Sequence, residues 1–320
     1  MRRGDHSTSD YERQDLSAPD PWDSARVRAR FDRAAATYAE AAVVQREVGN
    51  RLLERFDVMR LAPQTILDVG CGPGTHTAAL AARFADASVI AIDQSPAMVA
   101  LAAPAERGLL ARIPGLASLR KRSRAQGLVA DMASLPLPRE HGDVLWSNFA
   151  LHWSNDLPGL FAEWNRVLKV GGVMMFTAPG PDTLLQLRSA LTRAGEVADA
   201  RVQRFTDLHD LGDMLVHAGF ADPVMDMEVI TLEYASAAAL WRDLKAQGAT
   251  NSMQNRPRGL LTPRKLRAIE GELDAGRIDN GPIRIGVEVI YGHAWKVAPK
   301  KTADGHGIVR LESIGRGGRK

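Results

Sequence analysis

The chain has 320 residues, 45% of them hydrophobic and 25% charged, with a formal net charge of +3. This suffices for one large domain, and with no run of about 18 uncharged apolar residues and no apolar leader, neither a membrane span nor a secretory signal is expected and the protein is placed in the cytoplasm. A single cysteine, Cys71, excludes an internal disulfide and a multi-cysteine metal site, and no metal is expected.

Residues 1–24 are polar, broken by Pro19 and Pro21, and read as a tail without fixed structure. From Val27 to Arg55, Val27, Phe31, Val44, Val48 and Leu52 recur at helical spacing and predict two amphipathic helices. Strands are predicted at 65–70 (TILDVG), 88–93 (SVIAID), 128–131 (LVAD), 143–148 (DVLWSN) and 172–180 (GGVMMFTAP), with helical or loop segments between them. That alternation predicts a parallel, doubly wound sheet. A helix follows over 208–218, a strand over 225–234, a mostly helical stretch over 236–273 and a last strand over 283–295. The helical stretch makes a natural cap, and residues 298–320 read as a loose basic tail.

Charge is unevenly spread. Residues 296–320 hold seven Lys/Arg against two Asp/Glu, so the other 295 residues are net −2. Such a body argues against nucleic acid as a partner. Two stretches, 104–125 and 254–267, are locally basic and suit an acidic partner.

The first strand runs into Gly70, Gly72 and Gly74 and then a helix, where missing Cβ atoms let main chain approach a ligand. A dinucleotide fingerprint would need Gly or Ala at 75, where Thr stands, and Pro73 offers no N–H to a phosphate. Asp68 would repel a pyrophosphate but suits a cation, and S-adenosylmethionine carries an ammonium and a sulfonium. Asp93, ending the second strand, can accept both ribose hydroxyls; Asp131, ending the third, can accept the adenine amino group, with Met132 on the ring.

Residues 66–178 resemble a class I S-adenosylmethionine-dependent methyltransferase. The segments FDRAAATYAEAAVVQ (31–45), SNFALHW (147–153), FTAPGPDTLLQLR (176–188), LKAQGATN (244–251) and YGHAW (291–295) resemble the malonyl-acyl carrier protein O-methyltransferases of biotin synthesis. The resemblance implies an α/β Rossmann-like fold: a mostly parallel seven-stranded sheet with an antiparallel last strand, N-terminal helices and a helical cap between the last two strands. It implies one domain over 25–297, with a cofactor core at 60–180 and a cap and substrate region at 25–58 and 181–282. It extends the cofactor set to Gln94, Ser147 and Asn148. The 38-residue gap from Asp93 to Asp131 is longer than such cores need, so the basic stretch reads as an insertion.

The implied reaction methylates the free carboxyl of malonyl-acyl carrier protein or malonyl-CoA. An ionised carboxylate needs no general base, and alignment in a dry pocket is the main requirement. Tyr38 and His152 are expected at the reacting end, with no proton transfer by His152. Arg256 and Arg258 rank first, ahead of Arg188 and Arg242, to orient the substrate carboxylate by bidentate pairing. Two rivals are a protein arginine hydroxylase like the complex I assembly factor, and an RNA-binding methyltransferase using the basic tail.

Overall fold

A computed structural model describes residues 21–103, 125–259 and 261–298. The stretch before Pro21, nearly all of the basic insertion and the basic tail lie outside the described residues.

Seven strands form one sheet in the order β3-β2-β1-β4-β5-β7-β6. These are Thr65–Val69 (β1), Ser88–Asp93 (β2), Ala125–Val129 (β3), Gly142–Asn148 (β4), Leu168–Pro179 (β5), Phe220–Tyr234 (β6) and Ile283–Lys296 (β7). The first five run parallel, and β7 lies antiparallel between β5 and β6. Because β1 is flanked by β2 on one side and β4 on the other, strand order reverses there, and a crevice opens beyond the carboxyl ends of β1 and β4.

Side-chain alternation gives the sheet two apolar faces. Leu67, Val69, Leu145, Met174 and Phe176 pack on Phe161 and Trp164 of Leu157–Val167 (α5) and on Leu211 and Leu215 of Leu208–His217 (α7). Ile66, Val144, Trp146, Val173 and Met175 pack on Val44, Val48 and Leu52 of Val43–Glu54 (α2) and on Leu80 of Thr75–Arg83 (α3). A third cluster joins Leu187 and Leu191 of Leu185–Arg193 (α6), Leu240 of Ala237–Ala246 (α8) and Ile269 of Pro263–Ala275 (α9) to Ile283 and Ile285 of β7. This cluster is the cap.

Four boundaries depart from the sequence reading, β6 among them, which starts at Phe220 rather than at 225. β3 stops at Val129, so Asp131 sits in a turn two residues past the strand, where it bridges Ser134. β5 starts at Leu168, because a register shift between Gly142 and Val144 lets the strand pair early. The stretch 236–273 is two helices, since Gly248 at φ 70° ends α8 and Thr262 restarts the chain by capping Lys265 N with Pro263 at the first turn.

The predicted N-terminal tail, 1–24, also overlaps the fold, because Trp22 and Asp23 are built into it. Asp23 caps Ser24–Ala41 (α1) by accepting from Arg26 N at 3.1 Å. Trp22 is 6% exposed, bridges Met253, donates Nε1–H to His152 O at 2.7 Å and rests on the Trp153 ring at 4.5 Å. Trp22→Ala is therefore expected to lower the unfolding free energy by about 3 kcal/mol in urea titration. A loss below about 1 kcal/mol would show that this strap carries little of the fold.

Candidate active site

The glycine loop is clasped from below by β2. Gly70 N and Cys71 N both donate to Ile92 O, at 2.8 and 3.0 Å, and Gly72 N donates to Asp93 Oδ2 at 3.0 Å. Asp93 Oδ1 accepts from Ser95 N at 2.8 Å, and Ser95 caps Pro96–Ala102 (α4) while donating Oγ–H to Asp32 of α1 at 2.5 Å. One carboxylate thus links loop, strand and two helices.

The three glycines are bare for different reasons. A Cβ on Gly70 would lie 2.2 Å from Ala150 Cβ, and one on Gly74 would lie 2.5 Å from Ala102 Cα. On Gly72 it would meet only Tyr38 Cε1, at 3.8 Å. Gly74, expected to bind cofactor, instead lets α3 and α4 approach each other, and Gly72 is the one whose bareness faces open space.

That space is a cleft of about 220 Å³ bordered by Gly70, Gly72, Asp93, Gln94, Asp131, Met132 and Asn148, seven of the residues expected to bind cofactor. Asp131 is exposed and its Oδ1 accepts from Ala133 N at 2.9 Å. Asn148 is locked, donating Nδ2–H to Gln45 O and accepting from Thr177 Oγ1, both at 2.7 Å. Asp68 lies behind the loop in a recess of about 40 Å³ shared with Gly72, Tyr38 and Asn148. It is 2% exposed and accepts from Thr77 Oγ1 at 2.5 Å. Burial pushes its carboxyl up to about 7, and burial also raises that of Asp93 against the pull of its N–H donors. Ser147 borders neither space: the strand period turns it to the same face as Leu145, fully buried.

A second chamber of about 460 Å³ meets the cleft at Phe31, Tyr38, Phe149 and Trp153, which border both. Phe149 holds its place at φ 51° by donating N–H to Thr177 Oγ1 at 3.0 Å. The His152 ring packs on Trp153 at 5.0 Å and on Phe205 at 5.5 Å, its Nδ1 has no partner among the described residues, and burial drops it to about 3. The imidazole is neutral at physiological pH. Desolvation, and secondarily the Asp93 charge, push the Tyr38 hydroxyl well above the usual phenol range, so it is a neutral donor.

Residues 67–176 match the family model described as a methyltransferase domain. Over 274 residues the chain is 45% identical to a protein of Methylovorus sp. (strain MP688) named malonyl-[acyl-carrier protein] O-methyltransferase, covering 86% of this chain and 89% of that one. The chain belongs to the malonyl-[acyl-carrier protein] O-methyltransferase family. A protein of the same name from Laribacter hongkongensis (strain HLHK9) is 43% identical over 298 residues, covering 90% of this chain and 96% of that one. The YcgJ protein from Bacillus subtilis shares the fold, with a TM-score of 0.52 at 17% identity, covering 79% of this chain and 98% of that one. The architecture is that of a Rossmann-like class I methyltransferase. No helix among the described residues is long and apolar enough to cross a membrane.

Of the residues that the family resemblance places at the substrate, Tyr38 stands at the junction of cleft and chamber, His152 borders the chamber against Phe149 and Trp153 of that junction, and Arg256 and Arg258 border neither. The loop between α8 and α9 runs along the N-terminal strap, where Arg256 Nη1 donates to Met253 O at 2.6 Å and to Asp23 Oδ2 at 3.4 Å. Both arginines border an outer cleft with Arg26, Arg201 and Asn251. Arg188, ranked behind them, is held by Asp199 and the Gln203 carbonyl. Arg201, which borders both chamber and outer cleft and pairs with Glu196, is not distinguished by any sequence motif; Phe31 and Phe149, at the junction, lie inside the family-like segments but carry no polar group to mark them.

The division of labour among the glycines is testable. Gly74→Ala, combining φ 89° with a backbone collision, is expected to lower stability by about 1–3 kcal/mol more than Gly72→Ala, which adds only left-handed strain. Equal losses in thermal and chemical denaturation would refute this.

Proposed function

We propose that this protein transfers a methyl group from S-adenosylmethionine to the free carboxyl of a malonyl thioester carried by acyl carrier protein, as the first step of building the pimeloyl chain in biotin synthesis. The observation that carries this reading, beside family membership, is the meeting of an acid-lined cleft with an apolar chamber across Tyr38, Phe149 and Trp153. The names of the relatives support the carrier protein as the malonyl carrier. No observation favours arginine hydroxylation or RNA binding.

The residues present fit the cofactor. A carboxyl held near neutrality by burial gains most from a cationic ligand, which returns it to the carboxylate, and Asp68 is such a group. Asp68 would meet the ammonium, Asp93 the ribose hydroxyls, Asp131 the adenine amino group and Met132 the ring face, with Gln94 and Asn148 completing the walls and the Gly70 and Gly72 main chain forming the floor. When bound, S-adenosylmethionine supplies an electrophilic methyl group. The substrate carboxylate is ionised at neutral pH and needs no base. Neutral His152 fits that requirement, since it neither removes a proton nor neutralises the nucleophile. Tyr38, Phe149 and Trp153 keep water from the junction, where desolvation and alignment favour in-line displacement.

The direct test incubates the protein with radiolabelled methyl donor and malonyl-carrier protein, then releases volatile methanol with base. Absence of a base-labile product overturns the reading. Asp93→Ala is expected to weaken cofactor binding by about 1.5–3 kcal/mol, read by calorimetry. Cofactor affinity should fall, by up to about tenfold per pH unit, as pH drops below about 7 and Asp68 protonates, and Asp68→Asn should flatten that slope. Because burial raises the Asp68 carboxyl, its contribution to ligand-free stability is full below the ordinary carboxylate range and is lost as pH rises through about 7. Asp68→Asn should therefore raise the neutral-pH Tm of the ligand-free protein while lowering cofactor affinity. A lowered Tm would contradict the electrostatic account.

A further inference from the structure

The outer cleft beside the chamber concentrates cations. Arg26, Arg256 and Arg258 border it, Arg201 and Asn251 border both it and the chamber, and Asp23 is its one acid among the described residues. Asp23 is already engaged twice, capping α1 and pairing with Arg256. On α1, Arg26, Arg30 and Arg33 follow at spacings of four and three and share a face. Like charges at such spacing weaken a helix unless an anion compensates them. Burial lowers the Arg30 guanidinium pKa, and the charges of Arg26, Arg33 and Arg256 lower it further. The Nε–H groups of Arg26 and Arg30 are shielded from solvent and have no acceptor among the described residues. The cluster is therefore held together at a cost that a bound anion would relieve.

Its position identifies the anion. A ligand anchored here passes Arg201 and Asn251 directly into the chamber, whose walls beyond them are mainly apolar, including Leu187, Leu240 and Ile269. A malonyl group alone is too small and too polar to account for such a chamber. We propose that Arg26, Arg256 and Arg258 form a phosphate site that receives the phosphodiester of a carrier-borne phosphopantetheine arm, with the arm lying along the apolar chamber past His152 and its thioester reaching the junction at Tyr38. The proposal rests on the malonyl-thioester reading above and adds where the carrier's prosthetic group is gripped. Guanidinium groups match phosphate oxygens in charge and in bidentate geometry.

Two measurements separate this site from the reading beneath it. In calorimetric titration, wild-type protein should bind 4′-phosphopantetheine at least tenfold more tightly than pantetheine, and Arg26→Gln and Arg258→Ala should each erase most of the difference. Arg258 is exposed and takes no part in the Asp23 cap, so its removal tests the charge without disturbing that cap. Equal affinity for the two ligands in the wild type overturns the site whatever the methylation assay returns. In turnover, both variants should lose about 10- to 100-fold in kcat/KM with malonyl-carrier protein and stay within about twofold with malonyl-pantetheine, which lacks the phosphate. Equal losses on both acceptors overturn the site, marking the arginines as merely structural. Malonyl-CoA carries a phosphate on the same pantetheine arm: losses on both it and the carrier protein support grip of the arm's phosphate, a loss confined to the carrier protein overturns the site in favour of docking to the carrier's acidic surface, and a loss seen only with malonyl-CoA overturns it in favour of the nucleotide's other phosphates. If no malonyl thioester is methylated, the functional reading fails, and the phosphate site stands or falls on the titration alone.

Discussion

The Asp93 carboxylate accepts from the Gly72 and Ser95 amides, and much of the site depends on those two bonds. They fix the glycine loop to the end of β2, start α4 and, through Ser95 and Asp32, dock α1 over the crevice. α1 then delivers Phe31 and Tyr38 to the junction between cleft and chamber. Burial opposes the charge on Asp93 and the amide donors favour it, so the group sits in tension between the two. The acid that fixes the glycine loop thus also determines where α1 lies over the crevice.

The same logic of withheld solvation runs along the reacting wall. His152, packed among Trp153, Phe149 and Phe205, cannot take a proton in the physiological range, and Tyr38 cannot lose one. Two residues that elsewhere serve as acid and base are here kept in a single state. For transfer to an already ionised nucleophile this is an advantage, because charge on the wall would compete with charge on the reacting atoms.

The sheet is legible in the sequence because its buried strands are apolar runs, with Asp93 ending β2 and Asp68 one residue before the end of β1, whereas Asn148 at the end of β4 comes only from the family resemblance. β3 is misplaced by the same reading because its edge sequence, Ala125-Gln126-Gly127, is hardly apolar and only its last residues resemble a strand. Gly72 and Gly74 look alike in sequence; what distinguishes them is Ala102, some 28 residues away and on another element. Ser147 is misassigned because the strand period that points Asn148 at the cleft points its neighbour away. Arg256 and Arg258 are assigned to the wrong cavity for a similar reason, since the path of their loop is set by a bridge between Trp22 and Met253 that no local pattern encodes.

That strap joins distant parts of the chain: Trp22 pairs with Asn155 across 133 positions, and its carbonyl accepts from Gln254 across 232. Contacts of such separation close only after large loops have been restricted, which places them late in folding. The glycine loop and the pairing of β1 with β2 and β4 draw on nearer neighbours and have no need to wait for them. A chain emerging from synthesis would thus hold its cofactor crevice before its chamber has walls, and chamber completion would coincide with the burial of Trp22. Of the six tryptophans, Trp146 and Trp164 are fully buried in the core and report its collapse, whereas Trp22 reports the final step of assembly, so this enzyme's competence to bind and its competence to enclose a substrate are acquired at different times.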